Sequence, residues 1–421
     1  MGMNKVYASI ITIGDELLIG QTIDTNSAFI AQQLNHIGIL VLRRIAVGDR
    51  ADEIRFALDQ ESGHAQVIIL TGGLGPTADD ITKPFLCDYF GGKLKRDPAT
   101  LAHIQYLFNE VYKRPGGLVE RNQKQADIPD NCTLLPNPVG TAPGMLFEKD
   151  GKIFIAMPGV PFEMKYIMQH HVLSLIPKKF TTSHIEHRTL LTAGIGESFL
   201  AEMIQLWEEK LPSTIKLAYL PNYGMVRLRL TALGFDKNNL VKAINIEFEA
   251  LKSLVQEYLV IDEDLPMHLV VTKLLKEKHK TLATAESCTG GSIASIMTAN
   301  AGASSIFTGS VVCYDNRIKT ELLGVSHEIL TTVGAVSRET VELMATNIVR
   351  LMKSDFGIAV SGIMGPTGAT EEKQVGMVWV AVANKEKVIA KQFNFRFDRE
   401  RNIQLTAVNA LNMLRLLILE S

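Results

Sequence analysis

The sequence predicts an α/β protein: two α/β domains with mainly parallel sheets, joined by a small α+β (KH-like) module. Strand-like and helix-like segments alternate at both ends of the chain, which is typical of parallel sheets covered by helices. Between them, alternating strands accompany two longer helical segments. A chain of 421 residues can form two or three domains, each with its own core. We therefore predict three parts, residues 1–171, 172–262 and 263–421.

In the first part, short apolar runs predict strands, and apolar side chains three and four residues apart predict helices. The first helix, for example, carries Phe29, Ile30 and Leu34 on one face. The expected elements are strands 6–13, 40–47, 67–71 and 153–157, helices 27–37 and 52–61, and a short helix from Phe162.

The other two parts are predicted in the same way, with a polar, proline-stopped linker at residues 262–266 between them. For the middle part we expect strands 188–193 and 225–233 and helices 197–210 and 237–258. For the last part we expect strands 282–285, 309–313, 356–360 and 377–382, and helices 267–279, 338–353, one from Ser292 and one from about Arg399.

Composition is that of an ordinary soluble protein, with 46% hydrophobic and 21% charged residues and a net charge of −2. Such a balance provides no global attraction to nucleic acid or anionic lipid, and we expect neither a nucleic-acid nor a membrane partner. The four cysteines have no metal-ligand spacing, and we find neither a secretion signal nor an apolar run of transmembrane length. These observations predict a reduced, cytoplasmic protein.

Three nucleophile candidates stand together at the end of the apolar strand 282–285. Ser287, Cys288 and Thr289 precede Gly290 and Gly291, and a helix follows. A hydroxyl at such a turn lies near the positive end of the helix dipole and near free N–H groups that stabilise an oxyanion. Lys319 is the candidate base, on the expectation that burial lowers its pKa, since a desolvated ammonium is disfavoured. Cys288 is the rival nucleophile.

Four motifs of the last part resemble the carboxyl-terminal domain of the CinA (competence/damage-inducible) family: AESCTGG at 285–291, YDNRIK at 314–319, GAVS at 334–337 and SGIMGPTGATEEKQVGMVW at 361–379. The resemblance implies a nicotinamide mononucleotide deamidase of the PncC type, which releases ammonia without a metal. Its serine and lysine correspond to Ser287 and Lys319, with Tyr314 and Thr289 as further catalytic candidates. The implied substrate-binding residues are Gly290, Gly291, Gly309, Asn316, Gly365, Arg399 and Arg401.

This part departs from the family pattern in three places, the first being the glycine-rich loop at 362–369, which reads GIMGPTGA where the family usually reads closer to GIAGPGGG. Gln374 replaces a usual proline after the glycine-rich loop, and Asn402-Ile403 replaces a usual arginine in the last helix. Arg401 is the substitute for that arginine. Because the nucleophile and base are retained, we expect the departures to affect substrate affinity more than the chemistry.

The amino-terminal part has a glycine-rich turn after the strand 67–71. Gly72, Gly73 and Gly75 allow a phosphate to approach the backbone closely, and Asp79 and Asp80 supply hard oxygen ligands for a divalent cation. Other polar residues are expected at the same sheet edge: Glu16, Asp24, Asn26, Asp49 and Glu163.

The segments 11–26, 71–80, 137–144 and 157–165 resemble the CinA amino-terminal domain, which is related to molybdopterin-binding proteins of the MoaB/MogA type. The resemblance implies a metal-dependent ADP-ribose pyrophosphatase. The three glycines would hold phosphate, while Asp79 and Asp80 would serve the metal. Molybdopterin is the rival ligand, because the fold alone does not fix the substrate.

The middle part resembles the KH-like module of CinA proteins. A nucleic-acid-binding KH domain clamps the backbone with a GxxG loop, but here Gly194-Ile195-Gly196 is one residue short and Glu197 follows. A structural or dimer-forming role is favoured, and the resemblance implies a homodimer. A non-catalytic competence or DNA-damage scaffold remains the alternative to an enzyme.

Overall fold

A computed structural model describes residues 5–113 and 118–421. The chain forms two compact units, Met1–Glu186 with Ala232–Ala243, and His187–Thr231 with Ile244–Ser421. The predicted division into three parts stays a prediction, because residues of the middle part belong to both units.

The first unit contains a sheet whose central pairs are parallel. Its strands are β1 (Tyr7–Ile13), β2 (Leu40–Val47), β3 (Val67–Thr71), β4 (Leu94–Arg96), β5 (Asp127–Pro129), β6 (Thr133–Leu135), β7 (Gly144–Lys149) and β8 (Lys152–Met157). Six of them form one sheet in the order β2-β1-β3-β8-β7-β6. β1 pairs in parallel with β2 and β3, and β3 with β8, which confirms the predicted α/β class. β7 and β6, which the sequence did not predict, extend it in antiparallel fashion.

Helices cover both faces of this sheet because successive side chains of a strand point to opposite faces. Ala8 and Ile10 of β1 join one core with helix residue Leu34, while Ile11 joins the other with Leu58. The helices are α1 (Asp15–Leu18), α2 (Thr25–His36), α3 (Ala51–Ser62), α4 (Thr82–Tyr89), α5 (Pro98–Tyr106), α6 (Glu120–Gln123), α7 (Pro161–Ile167) and α8 (Leu173–Lys179). Single π-helical turns lie at Leu107–Val111 and Met168–Val172, and a 3-10 turn at Lys124–Ala126.

The middle residues form a four-stranded sheet with two helices, as predicted for an α+β module. Its order is β10-β11-β9-β12, where the strands are β9 (His184–Ala193), β10 (Ile215–Asn222), β11 (Met225–Gly234) and β12 (Leu259–Ile261). The helices are α9 (Glu197–Glu208) and α10 (Lys237–Leu254), and a short 3-10 turn, Gln256–Tyr258, follows.

The last residues form a five-stranded sheet. Its strands are β13 (Leu282–Glu286), β14 (Phe307–Val312), β15 (Phe356–Gly362), β16 (Met377–Ala383) and β17 (Val388–Asn394), in the order β14-β13-β15-β16-β17. β13 is parallel to both neighbours, and β16 and β17 continue the sheet in antiparallel fashion. The carboxyl ends of β13 and β15 therefore lie side by side at one edge.

Six helices accompany this sheet among the described residues. They are α11 (Met267–Glu277), α12 (Ser292–Thr298), α13 (Asn316–Leu323), α14 (His327–Thr332), α15 (Arg338–Met352) and α16 (Arg399–Glu420), with a 3-10 turn at Ala303–Ser305. Of the described part of the chain, only α16 is long and apolar enough to cross a membrane by length and composition. Its Ala407, Leu411 and Leu414 are buried in the core of the unit, as in the core helix of a globular domain.

Candidate active sites

Ser287 lies in the turn between β13 and α12, at the edge where β15 also ends. Its N–H donates to the Val360 carbonyl over 3.1 Å, and the residue is 8% exposed. Gly290 and Gly291 follow with φ of 61° and 98°, a left-handed conformation that glycine adopts without steric cost. The predicted strand, turn and helix around the serine are therefore present.

The turn is held by Glu286, a fully buried carboxylate that the sequence did not single out. Oε2 accepts from Thr289 Oγ1 over 2.7 Å and from Ile293 N over 3.0 Å. Oε1 accepts from Ala294 N over 2.8 Å. A carboxylate at the first turn of a helix accepts hydrogen bonds from the free N–H groups there and interacts favourably with the helix dipole. The sequence signal was a charged residue ending an otherwise apolar strand.

Lys319 is buried inside the same domain, with 1% of its surface exposed. Its Nζ donates to the carbonyl of Cys313 over 2.8 Å and to that of Tyr314 over 3.2 Å. Cys313 N in turn donates to Glu286 O over 2.9 Å, which fixes this segment beside the end of β13. The amine thus does not point into bulk water. Within the described residues, no hydrogen bond joins Lys319 Nζ to Ser287 Oγ.

Burial lowers the pKa of Lys319, because a desolvated ammonium is disfavoured, and the nearby Cys313 and Asp315 offset only part of this effect. The same burial raises the pKa of Cys288 to about 12 and that of Cys313 to about 11. A thiol reacts as the thiolate. The rival nucleophile Cys288 is therefore held in its unreactive form.

Arg399 links two other predicted site residues. Its Nη1 donates to the Gly365 carbonyl over 2.9 Å, and its Nη2 donates to the Tyr314 hydroxyl over 3.2 Å. Tyr314 is exposed, and its carbonyl is one of the two that accept from Lys319 Nζ. Arg399, Gly365, Tyr314 and Lys319 are thus brought together.

The remaining substrate-binding candidates of this domain are more scattered. Arg401 stacks over Phe397, 4.1 Å from the ring centroid, and lines a cavity of about 580 Å³ with Tyr223 and other residues that were not predicted for the deamidase site. Gly309 lies within β14, paired with Ala283, three residues before the strand ends. Asn316 is the exposed first residue of α13.

Two residues where the chain departs from the family pattern have structural partners. Asn402 is fully buried, and its Nδ2 donates to the carbonyls of Met364 and Phe397 over 3.1 and 2.9 Å. Gln374 Nε2 donates to the Thr370 carbonyl over 3.0 Å. Asn402 therefore anchors the glycine-rich loop, a role that only its long-range contacts reveal.

In the first unit, Gly72 marks the point where the ends of β1 and β3 approach each other. A Cβ built there would lie 2.1 Å from the Ile13 carbonyl oxygen, and φ is 118°. Only glycine fits this conformation and this approach. Gly73 also has positive φ, at 65°. The N–H groups of Gly72 and Gly75 already donate, to the Met157 carbonyl over 3.1 Å and to Asp80 Oδ1 over 2.8 Å, so of the three predicted glycines only Gly73 has an N–H with no acceptor within the described residues.

The two adjacent aspartates of this turn differ in role. Asp80 Oδ1 accepts from Gly75 N over 2.8 Å, and Oδ2 accepts from Thr77 N over 2.8 Å and from the Thr77 hydroxyl. This carboxylate closes the loop. Asp79 is exposed, and hydrogen bonding from Thr77 lowers its pKa. Asp79 is the freer candidate ligand.

Other carboxylates gather nearby. Asp15 N donates to Asp49 Oδ2 over 3.1 Å, and Asp49 N donates to Asp15 Oδ1 over 3.2 Å. Burial raises the pKa of Asp49, and the charges of Asp15, Glu16 and Asp79 raise it further. Asp15 was not predicted as a site residue. Among the described residues, no three acidic, histidine or cysteine side chains already converge as a metal site.

The last polar candidates shape the same edge. Asp24 caps α2, accepting from Ser27 N over 2.9 Å. Asn26 Nδ2 donates to the Gly159 carbonyl over 2.7 Å and to Thr71 Oγ1 over 3.3 Å, so it bridges the ends of β3 and β8. Glu163 is buried beside Asn137, which donates to it, and burial raises its pKa.

Comparison with known proteins matches three consecutive segments. Residues 9–178 match a probable molybdopterin binding domain, residues 187–260 the KH domain of the damage-inducible protein CinA, and residues 264–418 the CinA C-terminal domain. A CinA-like protein of Cytophaga hutchinsonii is 45% identical over 97% of both chains. The chain belongs to the CinA family. The predicted resemblance to CinA proteins and to their MoaB/MogA-like domain is thereby confirmed.

Other CinA relatives cover the chain to different extents. A putative competence-damage inducible protein of Caldicellulosiruptor bescii is 38% identical over 99% of this chain and 100% of its own. A solved structure of CinA from Thermoplasma acidophilum is 35% identical, covers 42% of this chain and 99% of its own, and has a TM-score of 0.37.

Proposed function

We propose that this CinA protein is an amidohydrolase that converts nicotinamide mononucleotide to nicotinic acid mononucleotide and ammonia. The observation that carries the proposal is the presence in one domain of a serine at a strand-to-helix turn and a buried lysine beside the end of the same strand, whose pKa burial lowers. Acyl transfer by serine needs a base that is neutral near working pH. Burial of Lys319 supports that role, and the raised pKa of Cys288 favours serine over cysteine.

Ser287 and Lys319 together account for each proton transfer of the proposed hydrolysis. Neutral Lys319 accepts the proton of Ser287 Oγ, which attacks the carboxamide carbon, and the proton then passes to the departing ammonia. Water hydrolyses the resulting ester in a second step with the same base. In the described residues, the N–H groups of Cys288, Thr289 and Gly291 donate no hydrogen bond, and they are the candidate donors to the oxyanion. Arg399 is the candidate partner of the substrate phosphate.

Ammonia release from nicotinamide mononucleotide by the full chain tests this proposal. Ser287→Ala should abolish release while leaving thermal unfolding unchanged, and Cys288→Ala, its neighbour, should retain it. Undiminished release by Ser287→Ala would refute the assignment. Absence of release by the wild-type chain would favour the alternative of a non-catalytic scaffold.

We further propose a metal-dependent ADP-ribose pyrophosphatase site in the first unit. The supporting observation is a gathering of carboxylates: Asp15 and Asp49 are joined by reciprocal hydrogen bonds to each other's backbone N–H, and burial, together with the charges of Asp15, Glu16 and Asp79, raises the pKa of Asp49. A divalent cation would relieve this repulsion, held by Asp79 and the neighbouring carboxylates, and would neutralise phosphate oxygens when bound. Gly73, whose N–H donates no hydrogen bond within the described residues, would present its backbone to the phosphates.

Incubation of the full chain with ADP-ribose and Mg²⁺ or Mn²⁺ tests this second site. AMP and ribose 5-phosphate should form, and Asp79→Asn should reduce the rate while Ser287→Ala should not. No product with any divalent metal would remove the proposal and leave molybdopterin as the ligand to test.

A further inference from the structure

Asn402 lies on the same face of α16 as Arg399, one helical turn further along the chain. Residues three apart on a helix are neighbours on its surface, and both side chains contact the loop that follows β15. Asn402 is fully buried. Because asparagine is mostly exposed in proteins, and buried polar atoms need hydrogen-bond partners, the contacts of this side chain show what it holds.

The side-chain amide of Asn402 has partners at both of its ends. Nδ2 donates to the Met364 carbonyl over 3.1 Å and to the Phe397 carbonyl over 2.9 Å, and Oδ1 accepts from Phe397 N over 3.3 Å. A carbonyl only accepts and a backbone N–H only donates, so these contacts fix the orientation of the amide. Phe397 lies between the end of β17 and the first turn of α16. Asn402 therefore ties this turn to the loop after β15.

The loop presents two successive carbonyls to α16. The Met364 carbonyl accepts from Asn402, and the next one, of Gly365, accepts from Arg399 Nη1 over 2.9 Å. Gly365 has φ of 85°, and a Cβ built there would lie 2.7 Å from Val375 Cγ1, so the backbone is closely packed at this point. Two carbonyls joined by one planar peptide do not turn independently. The direction of the Gly365 carbonyl thus depends on the bond that Asn402 makes.

Arg399 is held at two points and keeps its charge available. Besides the Gly365 carbonyl, its guanidinium contacts the Tyr314 hydroxyl, to which Nη2 donates over 3.2 Å. Within the described residues, no carboxylate forms an ion pair with it. A guanidinium that is already oriented loses less side-chain freedom when it binds a phosphate. Loss of either anchor should therefore weaken phosphate binding.

From these contacts we propose that Asn402 is a positioning residue for phosphate recognition, which orients Arg399 through the Gly365 loop and the first turn of α16. The inference rests on the proposed deamidase function and names a residue that sets its preference for a nucleotide over the nucleoside. The two substrates differ only in the phosphate. A misplaced Arg399 should thus weaken the nucleotide alone and leave the chemistry of Ser287 and Lys319 unchanged.

Ammonia release by the full chain from nicotinamide mononucleotide and from nicotinamide riboside, which lacks the phosphate, tests the proposal. Asn402→Ala should raise KM for the nucleotide about tenfold, the effect of weakening one charge-assisted contact, with kcat unchanged. KM for the riboside should stay at the wild-type value. Asn409→Ala is the matched control, an asparagine of the same helix whose Nδ2 donates to the Leu405 carbonyl, and it should retain both KM values. An equal rise of KM for both substrates in Asn402→Ala would overturn the proposal.

A double-mutant cycle shows whether Asn402 acts through Arg399. If it does, Asn402→Ala combined with Arg399→Ala should have the KM of Arg399→Ala alone, because the second change removes what the first one misplaces. Multiplication of the two single effects would show independent action and would also overturn the proposal. Asn402→Ser, which keeps a hydroxyl donor in a smaller side chain, enters the same cycle if Asn402→Ala does not fold.

Calorimetric binding of nicotinamide mononucleotide to Ser287→Ala protein separates this inference from the proposed function. The dissociation constant should be about tenfold higher when Asn402→Ala is added. That result would support the positioning role even if the wild-type chain released no ammonia, an outcome that refutes the deamidase alone. An unchanged dissociation constant would overturn the positioning role alone, and absence of binding to Ser287→Ala protein would overturn both.

Discussion

Thr289 donates its hydroxyl hydrogen to Glu286 Oε2 over 2.7 Å, across the turn that carries Ser287. The carboxylate is fully buried and also accepts two N–H groups of α12. The conformation of the serine turn is thus tied to a side chain that precedes the serine. Thr289, predicted as catalytic, is engaged in holding this carboxylate.

Glu286→Gln should destabilise the protein and slow ammonia release. The amide nitrogen must face one of the N–H donors, so at least one charge-assisted hydrogen bond is lost, at a cost of about 1.5–3 kcal/mol. The midpoint temperature of thermal unfolding and kcat for ammonia release should both fall. Glu372→Gln, on an exposed loop, is the control, and wild-type values for Glu286→Gln would contradict a positioning role.

The rate of ammonia release should rise with pH through a pKa below that of an ordinary lysine. Burial lowers the pKa of Lys319, so the neutral, base-competent amine becomes populated at lower pH than 10.5. The pH profile of kcat/KM reports this ionisation in the free enzyme. Lys319→Arg stays charged and should lose about 10²–10⁴-fold in rate. An inflection at the ordinary lysine value would disprove the role.

Arg399→Ala should raise KM for nicotinamide mononucleotide by about 10–100-fold, the effect of losing a charge-assisted phosphate contact. Arg399 contacts the Gly365 loop and Tyr314. Arg401→Ala removes the same charge from the same helix but from a different cavity. Steady-state kinetics of the two variants should show a raised KM in Arg399→Ala alone. A raised KM in Arg401→Ala alone would assign the phosphate contact to Arg401.

Lys83 should make the stability of the protein depend on pH in the alkaline range. Burial lowers its folded pKa to about 8, while the unfolded chain retains a value of 10.5. Between these values the unfolded state binds more protons, so the contribution of Lys83 to stability rises with pH. Denaturation midpoints of wild type and Lys83→Met should be compared at pH 7 and pH 9.5. The midpoint of wild type should rise, relative to that of the variant, from the lower pH to the higher. A difference in midpoint that is the same at both pH values would show that the pKa of Lys83 does not change on folding.

Local patterns predicted the parallel core of each sheet and the serine turn. Strand β13 and helix α12, which together span seventeen residues, follow from an apolar run, small polar residues and two glycines. The buried contacts of Glu286 and Asn402 were not predictable in this way, because they join segments whose neighbourhood is set by the whole fold.

The first turn of α16 illustrates the same limit. Arg399 and Arg401 are two positions apart, which places them about 200° apart around a helix of 3.6 residues per turn. The resemblance to the CinA family implied both for one pocket. Helical geometry allows only one of them to contact the Gly365 loop, and the structure identifies it as Arg399.

The buried negative charge of Glu286 also affects the sulfur chemistry of the domain. Together with burial, it raises the pKa of both Cys288 and Cys313, so neither is present as thiolate at neutral pH. Oxidants attack thiolates first. Peroxide in a stressed cell would therefore oxidise more acidic cysteines of other proteins before Cys288 and Cys313. Oxidation of these two thiols is thus a slow route to inactivation of the candidate site around Ser287.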